Sequence, residues 1–342
     1  MARVVACEAM EAIELGDLVQ ALNDESFDPA EEESFAAVAP LLKRLANNRH
    51  FLAEMAVAEL KDRCHRQTLE NRYSAQVLIL HRATEKFFIR ANFWPSERDS
   101  VLKASGTSPF FYHVPHDHNF SFLTVGYFGP GYWSEYYEYD YSRVVGLPGE
   151  KVDLTFVEKT RLETGKIMLY RAHRDVHDQL PPDDLSVSIN IMEASNRLPF
   201  LSQYRFDVKR CEIAGILTHT SSEALLALAA NHDGANSRDL VESFAAHHPC
   251  DRIQFAAIRE LAGSAADADQ GLETLARGAA SGNAFVAGMS RREMEKLQAN
   301  RSWIEGSRPR EKRPELSPAA AECRDNCPAS EASSLDIRPQ AC

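Results

Sequence analysis

Apolar positions change their period twice along the chain. Up to about residue 66, Phe35, Val38, Leu41, Leu42, Leu45, Phe51, Leu52, Met55 and Leu60 recur at spacings close to three and four, the period of an amphipathic helix. Pro29 followed by Glu31, Glu32 and Glu33 suits a helix entry, where acids face the positive end of the dipole. This predicts a helical N-terminal cap over residues 1–70.

Over residues 71–210 the texture shifts to short runs of aromatic and β-branched residues. Ala75-Gln-Val-Leu-Ile-Leu-His and Lys86-Phe-Phe-Ile-Arg-Ala-Asn-Phe-Trp read as strands, the second stopped by Pro95. Further strands are expected at 110–113, 119–128, 133–139, 154–158, 166–170, 185–192 and 202–208. Gly129-Pro130-Gly131, Pro148-Gly149, Gly165 and Pro181-Pro182 separate them as turns. Many short strands at regular spacing predict an antiparallel β-barrel or sandwich. The expected fold class is mainly β with flanking α.

Over residues 211–300 the helical period returns. Thr220 and Glu223 have capping-box spacing before Ala224-Leu-Leu-Ala-Leu-Ala-Ala. Pro249 suits a first helical position and Gly263 a helix stop. Stacked helices present extended surfaces, so this region is the expected place for a protein partner. Residues 301–342 are rich in Pro, Ser, Glu and Arg and are expected to be a disordered tail.

Composition narrows the function classes. The chain has 342 residues, 44% of them hydrophobic, and a net charge of −12. Nucleic-acid binding needs clustered Lys and Arg, so none is expected. No apolar run approaches the roughly 20 residues of a membrane span. The start Met-Ala-Arg-Val-Val-Ala-Cys-Glu turns acidic too early for a secretory signal, so the expected location is cytoplasmic. Seven cysteines, odd in number and widely spread, do not make a disulfide framework. Cys323 and Cys327 form half a zinc motif with nothing beside it to complete a site.

The candidate chemistry lies in His113-Val-Pro-His-Asp-His-Asn-Phe-Ser-Phe. On a strand, His116 and His118 share a face, and two imidazoles converging from one strand make half a metal site. A third ligand is expected downstream, where His173 and His177 follow 55 and 59 residues after His118. His177 is the expected third ligand, with His173 as the alternative. His177 precedes the strand at 185, and His173 is followed by Arg174. The other of the two would hydrogen-bond a ligand ring from behind. Asp117 would face away from the metal, Glu135 and Glu138 are the fallback carboxylates, and His113 is expected at the rim. Arg171 is the expected clamp for a substrate carboxylate, with Arg174 as a second candidate. Tyr127, Trp133 and Tyr137 are expected to line the substrate pocket. His247-His248, before Pro249, reads as an exposed helix entry.

His116-Asp117-His118, Phe93-Trp94, Gly129 and the histidines before Leu185-Ser-Val-Ser together resemble the cupin superfamily over about residues 73–208. Positions 122 and 123 hold Phe and Leu where many cupins have a ligating Glu. The resemblance is therefore to the three-histidine type, for which the thiol dioxygenases such as cysteine dioxygenase are the model. It implies a cupin-like barrel (a double-stranded β-helix) and an Fe(II) site, with zinc as the alternative metal. Open positions would take substrate and dioxygen. The Ser-x-His-x-Tyr triplet of those dioxygenases falls on Ser188, Asn190 and Met192. The resemblance implies a metal-dependent cupin, an oxidoreductase and non-haem Fe(II) oxygenase acting on a small molecule or peptide side chain. The alternative is a degenerate or zinc cupin serving as a binding module or non-redox enzyme. 2-Oxoglutarate is not expected to be needed, because His173-Arg-Asp175 comes too late in the strand order.

Overall fold

A computed structural model describes residues 3–24, 27–71, 73, 76–232 and 236–301. The expected tail therefore lies, beyond its first residue, outside the described residues, as do Cys323 and Cys327. A two-residue strand, β1 (Arg3–Val4), precedes four helices: α1 (Leu15–Asp24), α2 (Glu32–Asn47), α3 (Phe51–Lys61) and α4 (His65–Glu70). Glu32 and Glu33 occupy the first turn of α2, as the acidic run predicts. Next come strands β2 (Val77–His81) and β3 (Phe87–Trp94), a short helix α5 (Ser100–Ser105), then β4 (Phe122–Phe128) and β5 (Trp133–Glu138). The sheets are completed by β6 (Thr155–Arg161), β7 (Ile167–Tyr170), β8 (Asp175–Leu180), β9 (Ser186–Glu193), β10 (Tyr204–Asp207) and β11 (Glu212–Ile216).

The strands form a six-stranded sheet in the order β1-β7-β4-β9-β3-β2, a three-stranded sheet β6-β5-β8, and the hairpin β10-β11. All their ladders are antiparallel. One face of the large sheet is apolar: Ile89, Leu123, Val125, Leu169, Ile189 and Ile191 pack on Leu18, Leu22, Phe35, Val38, Leu42 and Leu45 of α1 and α2. Each such side chain contributes about 1.5–3 kcal/mol on leaving water. The other face meets the small sheet. Trp94, Phe122, Met168, Tyr170 and Met192 pack there with Tyr132, Tyr136 and Leu162. The result is three layers, helices on sheet on sheet.

The sheets do not close into the barrel expected from the sequence. They join instead by isolated bridges, His116 to His177, His116 to Arg205 and Tyr112 to Gln179. β6 reads Thr-Phe-Val-Glu-Lys-Thr-Arg and buries none of its residues. Charges on both faces make it an edge that takes no further partner. At the opposite end β1 is too short to extend pairing. The strand expected at 110–113 is a 3₁₀ turn over Ser108–Phe110 followed by Phe111 and His113 with positive φ.

The C-terminal helices are α6 (Ser221–Ala230), α7 (Ser237–His247), α8 (Asp251–Gly263), α9 (Ala268–Ala279) and α10 (Ala284–Ala299). Thr220 and Glu223 form the capping box. Gly263 ends α8, whereas Pro249 sits just before the N-cap Cys250 rather than inside the helix. These helices carry their own apolar centre around Leu226, Val241, Ile253 and Leu261. Arg252 ties them to the β region, bonding the carbonyls of Pro199 and Thr218 and the carboxylate of Glu223. Among the described residues no helix is long and apolar enough to cross a membrane.

Candidate metal centre

His116, His118 and His177 come together in the space between the two sheets. All three are buried, and one ligand atom from each lies within 4.8 Å of the others. His116 and His118 sit not on a regular strand but in the bridge segment leading into β4. The shared face survives because the backbone is pinned there. His116 exchanges both main-chain hydrogen bonds with His177, at 3.1 and 2.9 Å. His177 lies on β8, opposite Tyr136 of β5. On that strand His177 and Gln179 face the cavity, while Val176 faces away into the packing around Tyr204 and Phe206.

The hydrogen bonds prepare the rings as ligands. His116 Nδ1 donates to the Val114 carbonyl at 2.6 Å, which leaves its Nε2 lone pair free. The Nε2 atoms of His118 and His177 face each other at 3.0 Å. Metal–nitrogen bonds of about 2.1 Å meeting near a right angle set their nitrogens about 3.0 Å apart. His177 Nδ1 is buried without a partner among the described residues. Burial pushes His116 down to about 4 against the opposing hydrogen bond to Val114, and holds His118 and His177 well below the usual imidazole range, where the neighbouring rings add to the effect. All three are therefore neutral, the form that binds a metal. The donor set fits a divalent metal ion.

Asp117 points to the opposite side, as the alternation predicts. Its carboxylate accepts from the Tyr139 hydroxyl and the Tyr204 amide, both at 2.6 Å. Its carbonyl accepts from Gln203 Nε2 at 2.8 Å. Burial pushes the carboxyl up to about 7, opposed by those hydrogen bonds. His173 also lies on that side, with its Nδ1 3.9 Å from Asp117 and its ring 4.0 Å from that of Tyr141. It has a positive φ, and its amide donates to the His118 carbonyl at 2.8 Å. Its ring stays out of the three-histidine group; its backbone braces that group.

The cavity before the histidines has a volume of about 430 Å³. Trp94, Phe110, Phe111, Phe120, Phe122 and Tyr132 wall it, and Arg90, Asn92, Gln179, Asn190 and Gln203 supply polar groups. The four residues expected to bind substrate lie elsewhere. Arg171 forks onto Asp175 and reaches Glu138. Tyr127 is on the helix side of the large sheet, bonded to the Asn48 carbonyl and edge-on to Phe51. The Trp133 ring carries the Arg161 guanidinium, and Tyr137 packs on Phe156. Arg174 and His113 are exposed. Glu135 pairs with Lys159 and Glu138 with Arg171, so neither fallback carboxylate reaches the histidines.

Arg90 and Asn92 are not singled out by the sequence, and Asn190 only as the position of the triplet's histidine. The available signal was alternation: Arg90-Ala-Asn92-Phe-Trp94 and Ser188-Ile-Asn190 place polar residues at every second position of strands otherwise fit for a core.

No family model and no curated protein matches this chain. Among solved structures it is similar to the DMSP lyase DddQ from Ruegeria pomeroyi, at 8% identity over 57% of this chain and 79% of that one, with a TM-score of 0.22. A prolyl 4-hydroxylase structure from Phytophthora capsici matches at 9% identity over 83% of each chain, TM-score 0.22. Vicilin from hazelnut, Corylus avellana, matches at 10% over 45% of this chain and 37% of that one, TM-score 0.20. Likenesses this slight carry no functional argument; the geometry of the three histidines and their cavity does.

Proposed function

We propose that the chain is a metal-dependent enzyme of the cupin kind, a non-haem Fe(II) oxygenase acting on a small molecule or a peptide side chain. The observation that carries the reading is the convergence of three buried imidazoles on one cavity. A bound divalent ion supplies Lewis acidity and, for iron, open positions for substrate and dioxygen. The protein does the rest. The Val114 carbonyl fixes the tautomer of His116, so its ligating nitrogen is set before any metal arrives. Gln203 holds the Asp117 carbonyl and so fixes the backbone between the two ligands. The aromatic walls exclude water and hold an apolar substrate against the reacting end of the cavity. Three neutral ligands leave the ion's charge uncompensated, so an anionic substrate would be drawn into the cavity.

The test is anaerobic Fe(II) reconstitution followed by metal analysis and oxygen uptake with panels of thiols, amino acids, carboxylic acids and peptides. Stoichiometric iron with substrate-dependent oxygen uptake supports the reading. Uptake that requires 2-oxoglutarate would move the chemistry to another class. Three imidazoles suit zinc equally. Tight zinc without oxygen uptake would select the non-redox alternative, in which the site binds or hydrates rather than oxidises.

A further inference from the structure

The cavity holds one charged side chain, Arg90, and among the described residues no carboxylate lines the cavity or pairs with it. Elsewhere the fold pairs its enclosed arginines: Arg171 with Asp175 and Glu138, Arg252 with Glu223. Arg90 instead lies against an aromatic ring, its guanidinium 5.0 Å from the centre of Tyr73, and its Nε is buried without a partner. A guanidinium does not shed its proton at physiological pH. Burial works against the charge, so an enclosed arginine lacking an acid is costly unless a ligand supplies one.

The neighbouring group points the same way. Asn190 pairs with Arg90 across the sheet. Its Oδ1 accepts from Thr124 Oγ1 at 2.5 Å, which leaves its Nδ2 as the donor it offers to the cavity. One cation and one amide donor side by side match a monoanionic planar oxyanion; a phosphate would call for more charge. The walls beyond them are aromatic, and about 430 Å³ is far more than a free small amino acid fills.

We infer that the site takes an apolar carboxylate, an aryl or medium-chain acid, with its carboxylate on Arg90 and Asn190 and its body among Trp94, Phe120 and Tyr132. This rests on the metal-site reading for which end of the ligand reacts, though the anchor itself needs no metal.

The experiment is calorimetric titration of the intact chain, both metal-free and zinc-loaded, with phenylacetate, phenylacetamide and acetate. Phenylacetate should bind at least about tenfold more tightly than either of the others. Arg90→Gln should weaken phenylacetate on the order of a hundredfold and leave phenylacetamide unchanged. Arg90→Lys, which keeps the charge and loses the fork, should fall between. Circular dichroism and thermal melting check that the variants fold; if Arg90→Gln does not, the three probes on the unaltered chain decide. Equal binding of amide and carboxylate overturns the anchor, as does a preference that survives in a folded Arg90→Gln. Acetate binding as well as phenylacetate overturns the apolar body, and no binding of any probe overturns both. Because the metal-free protein is titrated too, these results stand apart from failure of the metal site, which shows as absent metal.

Discussion

The Nε2 atoms of His118 and His177 stand 3.0 Å apart although 59 residues separate them in the chain. Without a metal, two neutral imidazoles at that distance must share one proton. With one, both lone pairs would be held by the same cation.

That pair makes a prediction about metal binding. His118→Ala and His177→Ala should each lower zinc or iron affinity by more than about a hundredfold, since each removes a ligand outright. Added zinc should raise the melting temperature of the unaltered chain and of His173→Ala, whose ring lies outside the group, but not of the other two. Metal analysis after gel filtration, together with melting curves, checks this. Retained metal in His177→Ala together with its loss in His173→Ala would reverse the ligand assignment.

Asp117 holds the segment between His116 and His118 in place. Asp117→Ala leaves the Tyr139 hydroxyl and the Tyr204 amide without their acceptor. The expected cost is about 2–4 kcal/mol by urea unfolding. Zinc affinity, measured by chelator competition, should fall about 10–100-fold, as it does when a group supporting a ligand is lost.

Arg171 should matter to stability and not to ligands. Its side chain makes two bonds to Asp175 and one to Glu138, all between 2.6 and 3.0 Å, and Asp175 is almost fully enclosed. Arg171→Ala should cost about 2–4 kcal/mol while phenylacetate binding is unchanged. A variant of normal stability that no longer binds the acid would restore Arg171 to the substrate.

Gly126 is where β4 passes under the turn after β6. A Cβ there would collide with the carbonyls of Leu162 and Glu163. Those are backbone atoms and cannot swing aside. Gly126→Ala should therefore destabilise the protein by at least about 2 kcal/mol, read as an earlier urea midpoint with an unchanged slope.

The histidine pair was legible because two residues at i and i+2 share a face even in an irregular extended segment. The third histidine was legible only as a preference for His177 over His173. Asp175-Val-His-Asp-Gln-Leu180 carries too few apolar residues to read as a strand, because β8 turns its polar side to the cavity. His173 and His177 could then be told apart only by where the turn between β7 and β8 falls. Arg171 looked free for a substrate for a related reason. Its partners Glu138 and Asp175 are an acid on another strand and one four residues ahead, and sequence does not say which acids fold onto which arginines. The helix–strand–helix order was legible from period alone. Whether the sheets close was not, since closure depends on edges such as β6 rather than on any strand's own pattern.

In β3, β7, β9 and in β4 up to its bulge at Gly126, the even-numbered residues face the cavity layer and the odd-numbered ones the helices. Phe88, Arg90, Asn92, Phe122, Thr124, Tyr170, Ser188 and Asn190 stand on one side; Ile89, Leu123, Leu169 and Ile189 stand on the other. Parity thus divides labour in the sequence. Substitutions at even positions can retune what the protein recognises while the odd positions keep it folded. An inserted or deleted single residue in any of these strands would exchange the two sets. This predicts that a lineage carrying this sheet diversifies by replacement, with changes of length confined to the connections between strands.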